Sequence, residues 1–299
     1  MNILVLGGEG LLGHALAHEL IGKRIHNGRI GVTVRGARSR VPLPCGVSVY
    51  PNVDATRFAS VTAAIDNHHA NAVINAIGIV KNNAAVDDLT TTFAVNAHFP
   101  KKLARAVTVR GSKLIHISTD CVFTGDQGQY SEMDPPDAND AYGRSKAIGE
   151  VSGEGILTLR TSMVGLEQAT SRGLLNWFLS QPGPVPGYTN AVFSGPSAIE
   201  VARLVAKILA SHGPMGGLMH VAAAPIDKFT LLTMVRDAFS LSTEIVADES
   251  VVIDRSMRAG RLEMRYGYTA PSWPAMVEEL ARHYHDAAPI RAAQAAVLP

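Results

Sequence analysis

Tyr142-Gly143-Arg144-Ser145-Lys146 places a phenol and an ammonium at positions i and i+4, which on a helix puts both on one face. A phenol exchanges protons poorly near neutrality, but a neighbouring ammonium favours its charged form. The pair can therefore relay a proton to or from a carbonyl or alcohol oxygen. Upstream, the apolar run Leu114-Ile115-His116-Ile117 ends in Ser118-Thr119-Asp120. Ligands bind beyond the carboxyl ends of the strands of a parallel sheet, so a hydroxyl there can meet both a substrate oxygen and the phenol. Taken singly, these signals are weak: many surface helices carry Tyr and Lys at this spacing, and Ser-Thr-Asp also makes turns and caps.

A second group lies at the start of the chain. Gly7, Gly10 and Gly13 stand between the apolar run Ile3-Leu4-Val5-Leu6 and a helical pattern beginning at Leu11. Gly7 allows a tight turn, Gly10 lets backbone N–H groups approach a pyrophosphate, and Gly13 lets the helix pack on the sheet. The partner that reads the adenosine ribose is expected about 20 residues on, and is acidic for NAD. Here the second strand ends in Thr33-Val34-Arg35-Gly36, followed by Arg38 and Arg40. A guanidinium suits a 2′-phosphate, so the pattern favours NADPH, with NADH as the lesser alternative. Asp54, after the third strand, is placed either to accept from the adenine amino group or to cap a helix.

These groups need elements to hold them. Short apolar runs at Ile3–Leu6, Ile30–Val34, Val47–Tyr50, Ala72–Asn75 and Leu114–Ile117 alternate with helical patterns at Leu11–Ile21 and Asp88–Val109. That alternation predicts an α/β fold, a Rossmann-type doubly wound parallel sheet whose strands are buried on both faces. After Arg160 the texture changes, with breaker-rich loops at 181–187 and 213–217 and helical patterns at Ser197–Leu209, Phe229–Phe239 and Trp273–Tyr284. The expected division is a dinucleotide-binding domain over 1–161 and a mainly substrate-binding domain over 162–286. Some segments of the second return to the main sheet, and 287–299 forms a loose alanine-rich tail.

The chain has 299 residues, 46% of them hydrophobic and 18% charged, with a formal net charge of +1. A large core can form, and nothing in the charge balance calls for a nucleic acid or a membrane. Cys45 and Cys121 are too few for a disulfide framework and fit a reducing cytoplasm. The N-terminus lacks the basic and apolar blocks of a signal peptide. His14 and His18 have the i, i+4 spacing of metal ligands, but no third ligand is in view and no metal is expected. His68-His69 reads as a solvated helix end. Arg255, Arg258 and Arg261 can clamp a diphosphate or form a surface basic run.

In order, Gly7/Gly10/Gly13, Asn75-Ala76-Ile77-Gly78, Val95-Asn96, Ser118 to Phe123, Tyr142 to Lys146 and Leu159-Arg160-Thr161-Ser162 resemble the extended short-chain dehydrogenases. Ile117 to Phe123, Tyr130-Ser131-Glu132 and Tyr142 to Glu150 look most like the dTDP-4-dehydrorhamnose reductases. The resemblance runs through most of the chain and is strongest up to Arg160. It implies reduction of the C4 ketone of a nucleotide-linked 4-keto-6-deoxy sugar by NAD(P)H. Tyr142 is then the proton donor, Lys146 holds the nicotinamide ribose and lowers the phenol pKa, and Thr119 tunes the phenol. Gly10, Leu11 and Leu12 contact the pyrophosphate, while Ala76, Ile77, Gly78 and Ser118 lie beside the cofactor. Asp120, Asn190, Ser194 and Arg255 face the sugar nucleotide. Relatives of this kind are often homodimers.

Two departures bear on the substrate. Met163 stands where these reductases carry an aromatic residue, and Cys121 where they commonly carry Tyr; both line the expected sugar site and imply a different sugar or ring orientation. Cys121 also occupies the place of a catalytic cysteine in GDP-fucose synthases, although their histidine partner is missing between Arg160 and Pro196. A core-filling thiol is the favoured reading. An epimerase or dehydratase of the same fold, or a non-catalytic subunit, are the alternatives, and the intact Tyr142–Lys146 pair weighs against the last.

Overall fold

In the computed structural model, which describes residues 1–23, 27–81, 84–168 and 173–286, the apolar runs become strands in the expected order. They are β1 (Ile3–Leu6), β2 (Ile30–Thr33), β3 (Ser48–Tyr50), β4 (Ala72–Asn75), β5 (Lys113–Ser118) and β6 (Ile156–Arg160), followed by β7 (Val185–Tyr188), β8 (Ala191–Phe193), β9 (Gly217–His220), β10 (Ile226–Asp227), β11 (Ile245–Asp248) and β12 (Ile253–Asp254). The helices are α1 (Leu11–Lys23), α2 (Phe58–His68), α3 (Leu89–Phe93), α4 (Phe99–Val109), α5 (Ala141–Gly149), α6 (Leu174–Leu179), α7 (Ala198–Ala210), α8 (Lys228–Ala238), α9 (Gly260–Tyr266) and α10 (Trp273–Asp286).

The main sheet has seven strands in the order β3-β2-β1-β4-β5-β6-β9, and every pairing in it is parallel. The fold is thus a doubly wound α/β sheet. Its order reverses between β1 and β4, and that switch point opens a crevice at the strands' carboxyl ends. Strand β9 shows that the second half of the chain returns to this sheet.

Both faces of the sheet are covered. Leu12, Leu16 and Leu20 of α1 and Val201, Leu204 and Val205 of α7 pack on one face with Ile3, Val5 and Ile74. Val61 and Ile65 of α2 and Leu103 and Val107 of α4 pack on the other with Leu4, Leu6 and Leu114. Each such fully buried aliphatic side chain contributes roughly 1.5–3 kcal/mol over leaving it in water. A separate cluster of Phe178, Val185, Phe193, Leu231, Trp273 and Val277 holds the C-terminal part together. That part carries a three-stranded sheet, β10-β8-β12, and a two-stranded one, β11-β7.

Three expectations need correction. The helical stretch from Asp88 to Val109 is not uniform: α3, capped by the Asp88 side chain, and α4 are joined through a π-helical turn, Ala94–His98. His68 is not at a solvated end but fully buried. Its Nδ1 lies 3.0 Å from the Tyr50 hydroxyl and its Nε2 3.3 Å from the Arg29 carbonyl, because the last turn of α2 packs under the sheet edge. Within the breaker-rich 181–187 segment, Val185–Tyr188 forms a short strand paired with β11; at such an edge the missing N–H of Pro186 is tolerated. The expected tail, 287–299, lies outside the described residues. No described helix is long and apolar enough to cross a membrane.

Candidate active site

The glycine-rich loop runs from the end of β1 into α1. Gly7 has φ +86°, and a Cβ on Gly13 would lie 2.0 Å from the Gly7 carbonyl oxygen; only glycine lets the helix sit this close to the turn. The Gly7 N–H donates to Thr33 Oγ1 at 3.0 Å, tying the loop to β2. Gly10 is exposed and Leu11 half-buried at the opening of α1, whereas Leu12 packs in the core. Backbone amides at Gly10 and Leu11, with the positive end of a helix, suit a pyrophosphate.

Glu9, in the same loop, is buried and accepts from the Arg40 backbone N–H at 2.7 Å and from its Nε at 3.1 Å. Arg35 is exposed at the end of β2, and its Nε donates to Asp54 Oδ2 at 3.2 Å. Burial works to raise the Asp54 pKa, but hydrogen bonds from Thr56 and the Arg35 charge outweigh it and leave the carboxyl below its ordinary value. Asp54 also accepts from the Thr56 N–H and hydroxyl, so it organises the turn before α2. Arg35 and Asp54, read separately from the sequence, are one ion pair.

The catalytic helix α5 starts with Asp140 as its cap, which accepts from the Gly143 N–H at 2.7 Å and pairs with Lys81 at 2.9 Å. Glycines let it press inward: a Cβ on Gly143 would lie 2.1 Å from the Cys121 carbonyl oxygen, and one on Gly149 would lie 1.9 Å from that of Asn96. Lys146 is thereby buried, donating from Nζ to the Ile117 carbonyl at 2.7 Å. Burial lowers its pKa to about 8, with Glu150 pulling the other way. A Cβ on Gly78 would lie 4.0 Å from this Nζ, so the half-buried Ala76 and Ile77 and the exposed Gly78 beyond β4 border the lysine's pocket. Asn96, in the π turn, accepts from the Ile79 N–H and donates to the Ile79 carbonyl and Ser145 Oγ. It locks the β4 loop to α5, and π turns recur at functional sites.

Tyr142 is half-buried beside the 119–121 turn. Burial pushes its pKa above the ordinary value, helped by Cys121, while a hydrogen bond with Thr119 acts to lower it. The expected acidification by Lys146 is therefore corrected: desolvation of the phenolate dominates, and Thr119, not Lys146, supplies the lowering effect. Thr119 also caps the turn, accepting from the Cys121 N–H at 3.1 Å and donating to Asp120 Oδ1 at 3.2 Å. Burial raises the Cys121 thiol to about 12, so it stays protonated at neutral pH. Asp120 is buried against the same turn.

Ser118 was expected beside the cofactor. Instead its hydroxyl donates to Glu150 Oε1 at 2.8 Å, and Arg160 binds both Glu150 oxygens at 2.7 Å. Arg160 lies 5.1 Å over the Phe123 ring and 3.4 Å from His220 Nε2. Burial first, and Arg160 second, push His220 down to about 4. Beneath Lys146, the Asn75 Oδ1 accepts from Ile77 N–H while its Nδ2 faces His116 Nδ1 at 3.0 Å. His116 Nδ1 is therefore an acceptor and the ring neutral, in accord with burial driving its pKa well down.

The expected substrate residues divide. Arg255 donates to the Phe123 carbonyl at 2.9 Å and acts electrostatically on Cys121 and Asp140. Arg261 turns instead to Glu132 and Met133, so the three arginines do not converge. Met163 is half-buried against the main core. Asn190 is exposed in the turn between β7 and β8, 3.5 Å from the Glu249 carbonyl. Ser194 is fully buried, its hydroxyl accepting from the Met257 N–H at 2.9 Å. It braces β8 rather than opening on a ligand. His14 and His18 stack at 4.6 Å, and His14 Nε2 contacts the Pro42 carbonyl; no metal-holding cluster is found among the described residues.

Glu150, Asn96, Glu9 and Lys228 were not singled out by sequence reasoning. Glu150 had a usable signal, since it extends the Tyr142–Lys146 face by a further four residues.

Comparison with known proteins agrees with this geometry. A dTDP-4-dehydrorhamnose reductase of Aggregatibacter actinomycetemcomitans is 28% identical over 241 residues, covering 75% of this chain and 74% of its own length. The NADP complex of a Bacillus anthracis dTDP-4-dehydrorhamnose reductase superposes with a TM-score of 0.76 at 18% identity, covering 94% of this chain and 98% of that one. The NAD complex of a Thermus thermophilus UDP-glucose 4-epimerase does so with a TM-score of 0.78 at 19% identity, covering 96% of this chain and all of that one (100%). The fold is thus shared by reductases and epimerases, and does not by itself choose between them. Residues 1–179 match the family described as RmlD substrate binding domain, and the chain belongs to that family.

Proposed function

We propose that this protein is an NADPH-dependent reductase of a nucleotide-linked 4-keto-6-deoxy sugar, adding hydride at C4 with Tyr142 as proton donor. The observation that carries it is the convergence of Tyr142, Thr119 and Lys146 with Gly78 beside the sheet's switch point. Its relatives among the dTDP-4-dehydrorhamnose reductases support the substrate class.

The residues present fit a dinucleotide. Gly7, Gly10, Leu11, Leu12 and Gly13 would hold the pyrophosphate through their backbone, and Ala76, Ile77, Gly78 and Lys146 the nicotinamide side. When bound, the cofactor supplies the hydride. Tyr142 gives its proton to the sugar O4, leaving the alcohol. A phenol held above its ordinary pKa is fully protonated at neutral pH, which suits a donor in the reductive direction. Lys146 and Thr119 then steady the phenolate left behind. The thiol of Cys121 lacks the ionisation that a base in epimerisation requires, which weighs against the epimerase reading.

Incubation with dTDP-, UDP- and GDP-4-keto-6-deoxy sugars and NADPH should consume the cofactor with at least one of them, read by loss of NADPH fluorescence. No consumption with any would overturn the proposal. Arg35 is read as the partner of the 2′-phosphate. Arg35→Asp should lower the NADPH-over-NADH affinity ratio about tenfold or more, since a charge-assisted contact is replaced by repulsion. An unmoved ratio in fluorescence titrations would remove Arg35 from that role. This reading also takes 1–161 as the dinucleotide domain, 162–286 as mainly substrate-binding, the cytoplasm as location and a homodimer as its assembly.

A further inference from the structure

The small sheet β10-β8-β12 carries a cation that the rest of the fold leaves unpaired. Val192 of the central strand β8 pairs antiparallel with Asp227 of β10 and parallel with Asp254 of β12. The residue after each of these aspartates is basic, Lys228 on one side of β8 and Arg255 on the other. Lys228 Nζ stands 3.6 Å over the centroid of the Phe193 ring. Both cations lie within electrostatic reach of Cys121, and Lys228 also feels Asp120. They therefore border the wall that faces Tyr142.

Lys228 breaks two local preferences. It is the first residue of an eleven-residue helix, where the helix's own field is positive and cations are disfavoured. It is also half-buried, yet among the described residues no hydrogen bond or ion pair engages its ammonium. Burial lowers its pKa to about 8, so it remains mostly charged at neutral pH. A lysine with no task would extend into water; this one is held against the site by an aromatic face, with N–H donors free for a ligand. Residues that break local rules without a packing gain concentrate at functional sites.

We propose that Lys228, facing Arg255 across β8, receives the phosphate oxygens of a nucleoside diphosphate, the acidic portion of the substrate. The assignment rests on the sugar-nucleotide reading above. A diphosphate offers the acceptors that the ammonium lacks, and the paired guanidinium adds a planar donor fork.

Calorimetric titration of the full chain with dTDP, UDP and GDP, in the presence of NADP, tests it. Lys228→Met should weaken the diphosphate that the unaltered protein binds by about tenfold or more, as expected for loss of a charge-assisted contact. NADPH affinity and the melting temperature should stay as they were, and Lys228→Arg should keep most of the affinity. If the methionine variant melts early, Lys228→Gln serves as the second neutral replacement. Diphosphate binding by the neutral variant equal to that of the unaltered protein overturns the proposal. So does a loss confined to the intact nucleotide sugar, which would put Lys228 on the sugar. An unaltered protein that binds NADPH but none of the three diphosphates would take down the sugar-nucleotide reading itself, and this receptor with it.

Discussion

Tyr142→Phe should lower kcat by about 10²–10⁴-fold, the usual contribution of a positioned acid–base group, while the dissociation constant for NADPH changes little. The substitution removes one oxygen from a half-buried ring and leaves the backbone of α5 in place, because Asp140 still caps Gly143 and Lys146 still donates to Ile117. Steady-state turnover and fluorescence titration separate the two effects. Turnover within a few-fold of the unaltered protein would take the phenol out of the chemistry. The pH profile carries a second sign. Lys146, with a pKa of about 8, loses its ammonium as the pH rises through that value. A kcat that falls on the alkaline side of pH 8 is therefore expected, with no limb from Tyr142 near neutrality.

Glu150→Ala should cost about 3–5 kcal/mol of folding stability, the range for removing one partner of a buried ion pair. The Arg160 side chain is 4% exposed and Glu150 11%, so water cannot replace the lost carboxylate. The Ser118 hydroxyl loses its acceptor in the same step. By contrast, Asp66→Ala breaks an equally short bidentate pair with Arg110, but the Asp66 side chain is 56% exposed. Exposed pairs contribute about 0.2–1 kcal/mol. Urea unfolding of the two variants side by side checks the difference. A loss at Glu150 no larger than at Asp66 would mean that burial does not govern these pairs. Removing Glu150 also deletes the charge that raises the Lys146 pKa, so the alkaline limb of activity should move to lower pH.

Much of the fold is legible from local pattern. Ile3–Leu6 and Ala72–Asn75 form strands over the residues that their apolar runs indicate, since strands buried on both faces need no alternation. The ends of β2 and β3 and of α7, α8 and α10 are displaced by one or two residues from the pattern, as fraying termini usually are. The π turn at Ala94–His98 was not legible. Its cause is the bonding of Asn96 to Ile79 and Ser145, residues distant in the chain. His68 fails for the same reason: its neighbour His69 ends α2 in a left-handed conformation at φ 50°, but its own partners, Tyr50 and Arg29, come from other segments.

The sequence by itself determined what short spacing can determine. Glycines three apart between a strand and a helix specify a turn that takes a phosphate, and a tyrosine four residues before a lysine specifies one helical face. Both are consequences of backbone geometry within a few residues. Only the tertiary structure decided which charges meet. It joined Arg35 to Asp54, drew Ser118 and Arg160 onto Glu150, buried the phenol so that desolvation outweighs the nearby ammonium, and set Lys228 against Phe193 within reach of Asp120 and Cys121. Burial and electrostatic pairing depend on distances closed by sheet register and loop return, and those are properties of the assembled fold rather than of any segment.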